Sequence, residues 1–160
     1  GALFSSLDGQ DYRPVESAPL DCGEYIGEGL ALVGTGPWVF VGGRVEGPLP
    51  VEGYTPPENE AGAWSSRDLV TWTTSLMPQP ARANASVWTV ARHGAGYVAT
   101  GGDLTWLSDD GATWRLSSVA YDHDSSIGEI ANGPAGTLGF ASLEGDDGNR
   151  IDVFRLADLP

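Results

Sequence analysis

Lysine is absent: all eight basic residues are arginine, set against 22 acidic ones for a formal net charge of −14. Such a surface cannot replace the counterions condensed on nucleic acid or on anionic lipid, which argues against both partners. The acidic surplus reads instead as a solubilising exterior. Cysteine is almost absent too. Cys22 alone cannot form an internal disulfide, and no histidine stands near it to activate a thiolate. No run of about 18 apolar residues is present to span a membrane, and no signal peptide is legible. A mature secreted chain looks the same, and a secreted or cell-surface location is the expectation. Helical periodicity is missing throughout, so almost no helix is expected.

What the chain has in excess is 23 Gly, 11 Pro and 6 Trp in 160 residues, a composition suited to many short strands and tight turns. The clearest unit is Trp106-Leu107-Ser108-Asp109-Asp110-Gly111-Ala112-Thr113-Trp114. Apolar and polar residues alternate on both sides of an Asp-Gly turn, which predicts a hairpin over roughly residues 104–117. In such a turn a carboxylate accepts hydrogen bonds from backbone N–H groups that the bend leaves unpaired. Two further stretches line up with it: Phe4 to Tyr12, and Trp64 to Trp72 with Leu69 in the Gly place. The shared serines are Ser6, Ser66 and Ser108. Spacings of about 40 to 60 residues between such units mark a blade or solenoid array.

Between these turns the same order recurs: strand, Gly turn, strand, variable loop, strand, Ser/Asp turn, strand. Residues 29–33 and 38–43 precede the second turn, 87–91 and 97–102 precede the third, and 127–131, 137–142 and 150–155 follow it. The expected fold class is therefore all-β, built from four-stranded antiparallel units. Residues 1–15 hold the last two strands of a first unit, 16–75 a second, 76–117 a third, and 118–160 the first three strands of a fourth.

The three Ser-x-Asp turns resemble the Asp-box, or bacterial neuraminidase repeat, of sialidase-like β-propellers. Gly96-Tyr97-Val98-Ala99-Thr100-Gly101-Gly102 followed by the third turn resembles the framing seen in secreted propellers of high-GC bacteria. All three copies are one residue shorter between Asp and the closing aromatic than the usual box, and the second lacks its Gly. The resemblance implies β-propeller blades, about three of them, where closed rings use about 4 to 8. The partial ring is then completed by a second copy or by blades elsewhere. A compact sandwich of the same strands is the alternative.

Sialidase chemistry would need an arginine triad on the substrate carboxylate, a Tyr/Glu pair and an Arg-Ile-Pro-like motif before the first box. Tyr12-Arg13-Pro14 follows its box, and Arg44, Arg82, Arg92 and Arg150 fall in other contexts. Ser66 to Trp72 also resembles a turn of five-bladed glycosidases, which need two carboxylates on inner strands of different blades. Glu129 is the single candidate on a first strand. The reading is a non-catalytic binding module for a protein or glycan, with a glycan-active hydrolase completed by other blades or chains as the alternative, and a purely structural piece as a third.

The resemblance places the long, uneven segments on the face opposite the boxes, and such segments on a rigid scaffold carry recognition. The candidate binding residues there are Arg44 and Tyr54, from the Pro-rich segment 44–62, and Tyr121, Asp122, His123 and Asp124. One His between two Asp is an incomplete ligand set. Glu144 to Asn149 has calcium-friendly oxygens without the spacing of an EF-hand loop, so a hairpin turn is expected there. No cofactor and no metal is implied.

Overall fold

The computed structural model describes residues 3–16, 25–26, 37–44, 60–80, 87–101, 104–117, 127–133, 136–145 and 148–155. Among them there is no helix, and thirteen strands form four small antiparallel sheets. The first sheet is the hairpin β1 (Phe4–Ser5) and β2 (Arg13–Pro14). The second contains β3 (Tyr25–Ile26), β4 (Trp38–Arg44), β5 (Glu60–Ser66) and β6 (Thr73–Leu76), paired in that order. The third pairs β7 (Thr89–His93), β8 (Gly96–Gly101), β9 (Leu104–Ser108) and β10 (Arg115–Leu116). The fourth is β11 (Ile127–Gly133), β12 (Gly136–Gly145) and β13 (Gly148–Arg155). Every sheet is a meander in which each strand pairs antiparallel with its neighbour in sequence.

The register makes the sheets copies of one another. Phe4 pairs with Pro14, Trp64 with Thr74 and Trp106 with Leu116, in each case ten residues along. One strand further in, Phe40 faces Trp64, Ala99 faces Trp106 and Gly139 faces Phe154. Because side chains alternate across a strand, this common register assigns corresponding residues to corresponding faces.

Those faces are buried on both sides in the middle of the molecule. β8 is buried along its length, and so are β5 and β9 apart from their first residues, Glu60 and Leu104. One cluster joins Val39, Val41, Ala61 and Ala63 of the second sheet to Val90, Tyr97, Ala99, Trp106 and Trp114 of the third. The intervening residues Ala91, Val98 and Leu107 form a second cluster with Ile130 of the fourth. Successive residues of β8 thus answer to different neighbours, which explains a strand without the polar-out alternation of a solvated sheet. On the remaining face of the second sheet Phe40 stacks on Trp64 at 5.0 Å and meets Trp72 edge-on at 5.3 Å.

Two details differ from the sequence reading. Tyr12, Trp72 and Trp114 close the turn immediately before a strand and are not themselves strand residues. The first strand of the second sheet is described at Tyr25–Ile26, paired with Arg44 and Gly43; the expected stretch 29–33 lies outside the described residues. The hairpin expected over residues 144–149 is present, with β12 and β13 paired down to Gly145 and Gly148.

Candidate functional site

At one end of the sheets lie the three Ser/Asp turns, and their hydrogen bonds repeat. Gly9, Leu69 and Gly111 donate their N–H to the hydroxyls of Ser6, Ser66 and Ser108 at 2.8–2.9 Å. Each serine in turn donates to the carboxylate two residues on, Asp8, Asp68 or Asp110. The same Oδ1 accepts the next two backbone N–H groups: Gln10 and Asp11, Val70 and Thr71, Ala112 and Thr113, at 2.7–2.9 Å. Backbone N–H donors hold all three carboxyls below their ordinary 3.8, the strongest being those of Asp11, Thr71 and Thr113, and Asp68 falls to about 2. A carboxylate so committed is a backbone staple and has little capacity left for acid or base work.

The residue after the Asp takes a left-handed backbone. φ is +74° at Gly9, +78° at Gly111 and +59° at Leu69, the one non-glycine with positive φ among the described residues. Leu69 therefore adopts the turn at a conformational cost that Gly avoids.

The second and third turns flank a cleft of about 440 Å³, bordered by Ser66, Arg67, Asp68, Thr71, Asp110 and Ala112. Ala112 is tied to the second sheet by the Ser75 hydroxyl, which donates to its carbonyl. The walls of the cleft are fixed by Pro37, whose carbonyl accepts the Tyr97 hydroxyl at 2.5 Å and an Arg92 guanidinium N–H at 3.3 Å. The guanidinium also sits 4.4 Å over the Tyr97 ring, and burial raises the phenol above its usual range. Towards the opposite end the Trp106 indole donates to the Pro78 carbonyl at 2.6 Å, and the Gln79 side-chain oxygen accepts the Ala61 N–H at 3.0 Å. The second and third sheets are thus clamped near both ends. A second cavity, of about 330 Å³ and largely apolar, lies between the first hairpin and the second sheet, lined by Phe4, Leu7, Tyr12, Trp38, Phe40 and Trp72.

The sequence-derived binding residues lie elsewhere. Tyr54, Tyr121, Asp122, His123 and Asp124 are outside the described residues. Arg44 ends β4, its backbone paired with Glu60 and Tyr25, so residues 45–59 leave and rejoin the second sheet at the end remote from its Ser/Asp turn. Residues 77–88 likewise leave β6 at that end. The short turn at Gly94, by contrast, lies at the box end, where a Cβ on Gly96 would come within 2.2 Å of the Ser108 carbonyl oxygen. His93 flanks that turn, and its Nδ1 is 3.0 Å from the Thr137 hydroxyl, making it a structural contact between sheets. Glu129 is exposed, paired with Phe140 across the ladder. No group of three or more His, Cys, Asp or Glu able to hold a metal occurs among the described residues. The cleft beside Arg67 and the apolar cavity were not foreseen, because each is bounded by residues from separate repeats; aligning the repeats by register is the signal that locates them.

Compared with family models, curated proteins and solved structures, the chain matches none.

Proposed function

We propose that this chain is a stretch of β-propeller-like blades serving as a non-catalytic, extracellular binding module. The observation that carries this reading is the division of labour between the two ends of the sheets. At one end three Ser/Asp turns of the same register spend their carboxylates on backbone N–H groups. At the other, the chain leaves β4 at Arg44, re-enters β5 at Glu60 and leaves β6 after Leu76, beside the buried strand β5. A rigid framework with constant turns on one side and uneven segments on the other suits recognition of a protein or glycan, with Arg44, Tyr54 and Tyr121 to Asp124 as the contact set.

A glycan array probed with the purified chain, alongside hydrolysis assays on aryl glycosides, tests the reading. Selective glycan retention that the double substitution Asp122→Asn/His123→Ala abolishes, without turnover, is the expected result. If the array stays blank, a protein ligand remains as the recognised class. Steady release of the aryl group would sink the non-catalytic reading in favour of a hydrolase.

A further inference from the structure

We infer that the cavity of about 330 Å³ between the first hairpin and the second sheet binds a small, neutral ring compound that carries a carbonyl oxygen, with Trp72 as the hydrogen-bond donor. The inference goes beyond recognition of a protein or glycan by the uneven segments and does not rest on it.

Two departures from the repeat meet at this cavity. In the third turn the Trp114 indole donates to the Gly111 carbonyl at 3.2 Å. Trp72 stands at the corresponding place of the second turn, yet its Nε1 is buried without a partner, the one side-chain nitrogen or oxygen so placed among the described residues. The acceptor position there belongs to Leu69, which holds the left-handed φ of +59° that the other two turns leave to glycine. Leu69 and Trp72 both line the cavity. An unsatisfied buried donor and a strained backbone are each costly, and a fold optimised for packing alone would shed both. Their coincidence at one cavity is the mark of a site kept for a ligand.

The walls define that ligand. The inner wall is made by the buried Phe40 with Trp38 and Trp72, and the rim by Phe4, Leu7 and Tyr12, all exposed. Aromatic walls favour a flat guest that stacks on them or meets them edge-on. No charged side chain lines the cavity among the described residues, so a charged guest would go without a counterion. A sugar fares little better. The Ser6 hydroxyl is already engaged in the first turn, and most hydroxyls of a sugar would be left unpaired. A ring compound with a single carbonyl needs a single donor. The Trp72 indole can supply it by turning towards the cavity, a rotation that breaks no hydrogen bond because its Nε1 makes none.

Two probes of one shape decide the matter: acetophenone, and α-methylstyrene, in which a methylene replaces the carbonyl oxygen. Each is titrated into the isotope-labelled full chain and followed by amide and indole nuclear magnetic resonance. Both should bind saturably, and acetophenone should move the indole N–H resonance that is missing from Trp72→Phe. One added hydrogen bond corresponds to about fivefold in affinity, and acetophenone should bind tighter by that factor. In Trp72→Phe the two probes should bind alike. Leu69→Gly, which gives Trp72 the glycine acceptor that Trp114 has, should lower the preference as well, and it stands in should Trp72→Phe fail to fold by circular dichroism. Absence of any saturable shift overturns the inference. So do equal affinities of the unmodified protein for the two probes, or a preference for acetophenone that persists in Trp72→Phe, or in Leu69→Gly where that variant stands in for it. Glycan retention on the array is a separate readout and does not bear on this one.

Discussion

Asp68 shows how much of the turn's geometry depends on one ionised oxygen. Its Oδ1 receives the N–H groups of Val70 and Thr71, and protonation weakens both acceptor contacts. Since its folded value is about 2 against an ordinary 3.8, its contribution is fully present above about pH 4 and is lost as pH falls through about 2. Asp8 and Asp110 shift in the same direction for the same reason. Urea titrations between pH 5 and pH 2 should therefore show the parent chain losing more stability than Asp68→Asn, whose amide oxygen keeps an acceptor in place without titrating. Equal slopes would mean the carboxylate is immaterial. These roles were legible in the sequence because donors and acceptor lie within three residues of one another. The Pro37 carbonyl that anchors Tyr97 was not, since the two stand 60 residues apart and nothing local marks a proline oxygen as an acceptor.

Among the elements, the three turns share a backbone but differ in surroundings, and this separates strain from crowding. An alanine Cβ at Gly9 would meet nothing within 4 Å, so Gly9→Ala carries only the left-handed penalty, about 1 kcal/mol. At Gly111 the same Cβ would lie 2.5 Å from Val39 Cγ2 and 3.3 Å from the Tyr97 ring, adding overpacking to strain, and a loss of about 3 kcal/mol is expected. Denaturant midpoints of the two variants give the comparison, and similar losses would contradict the packing described between the second and third sheets. Hairpin positions were readable from aromatic, Ser and Asp spacing alone. Which turn is pressed against a neighbour was not, because Val39 reaches Gly111 from another repeat.

For the whole molecule, the third sheet is the one whose two faces are both described as packed against other sheets. Val98 belongs to the contact with Ile130, and Tyr97 to the contact with Val39. Nearest-neighbour stacking of this kind predicts that Val98→Ala and Ile130→Ala are coupled in a double-mutant cycle by about 0.5 kcal/mol or more, while Val39→Ala and Ile130→Ala add independently. Coupling of the second pair would argue for a single undivided core. The all-β class and the order of strands were legible in the chain, because glycine turns and apolar runs repeat in phase. Which residue faces which neighbour emerged only from the register, since β8 is apolar or small on both sides and offers no alternation to read.

The constant ten-residue reach from Phe4 to Pro14, Trp64 to Thr74 and Trp106 to Leu116 also divides the chain for anyone who would re-engineer it. Lengthening a Ser/Asp turn by one residue would shift the following strand out of step with its aromatic partner. Residues added between Arg44 and Glu60, whose backbones are paired with each other, would by contrast leave that ten-residue phase unchanged.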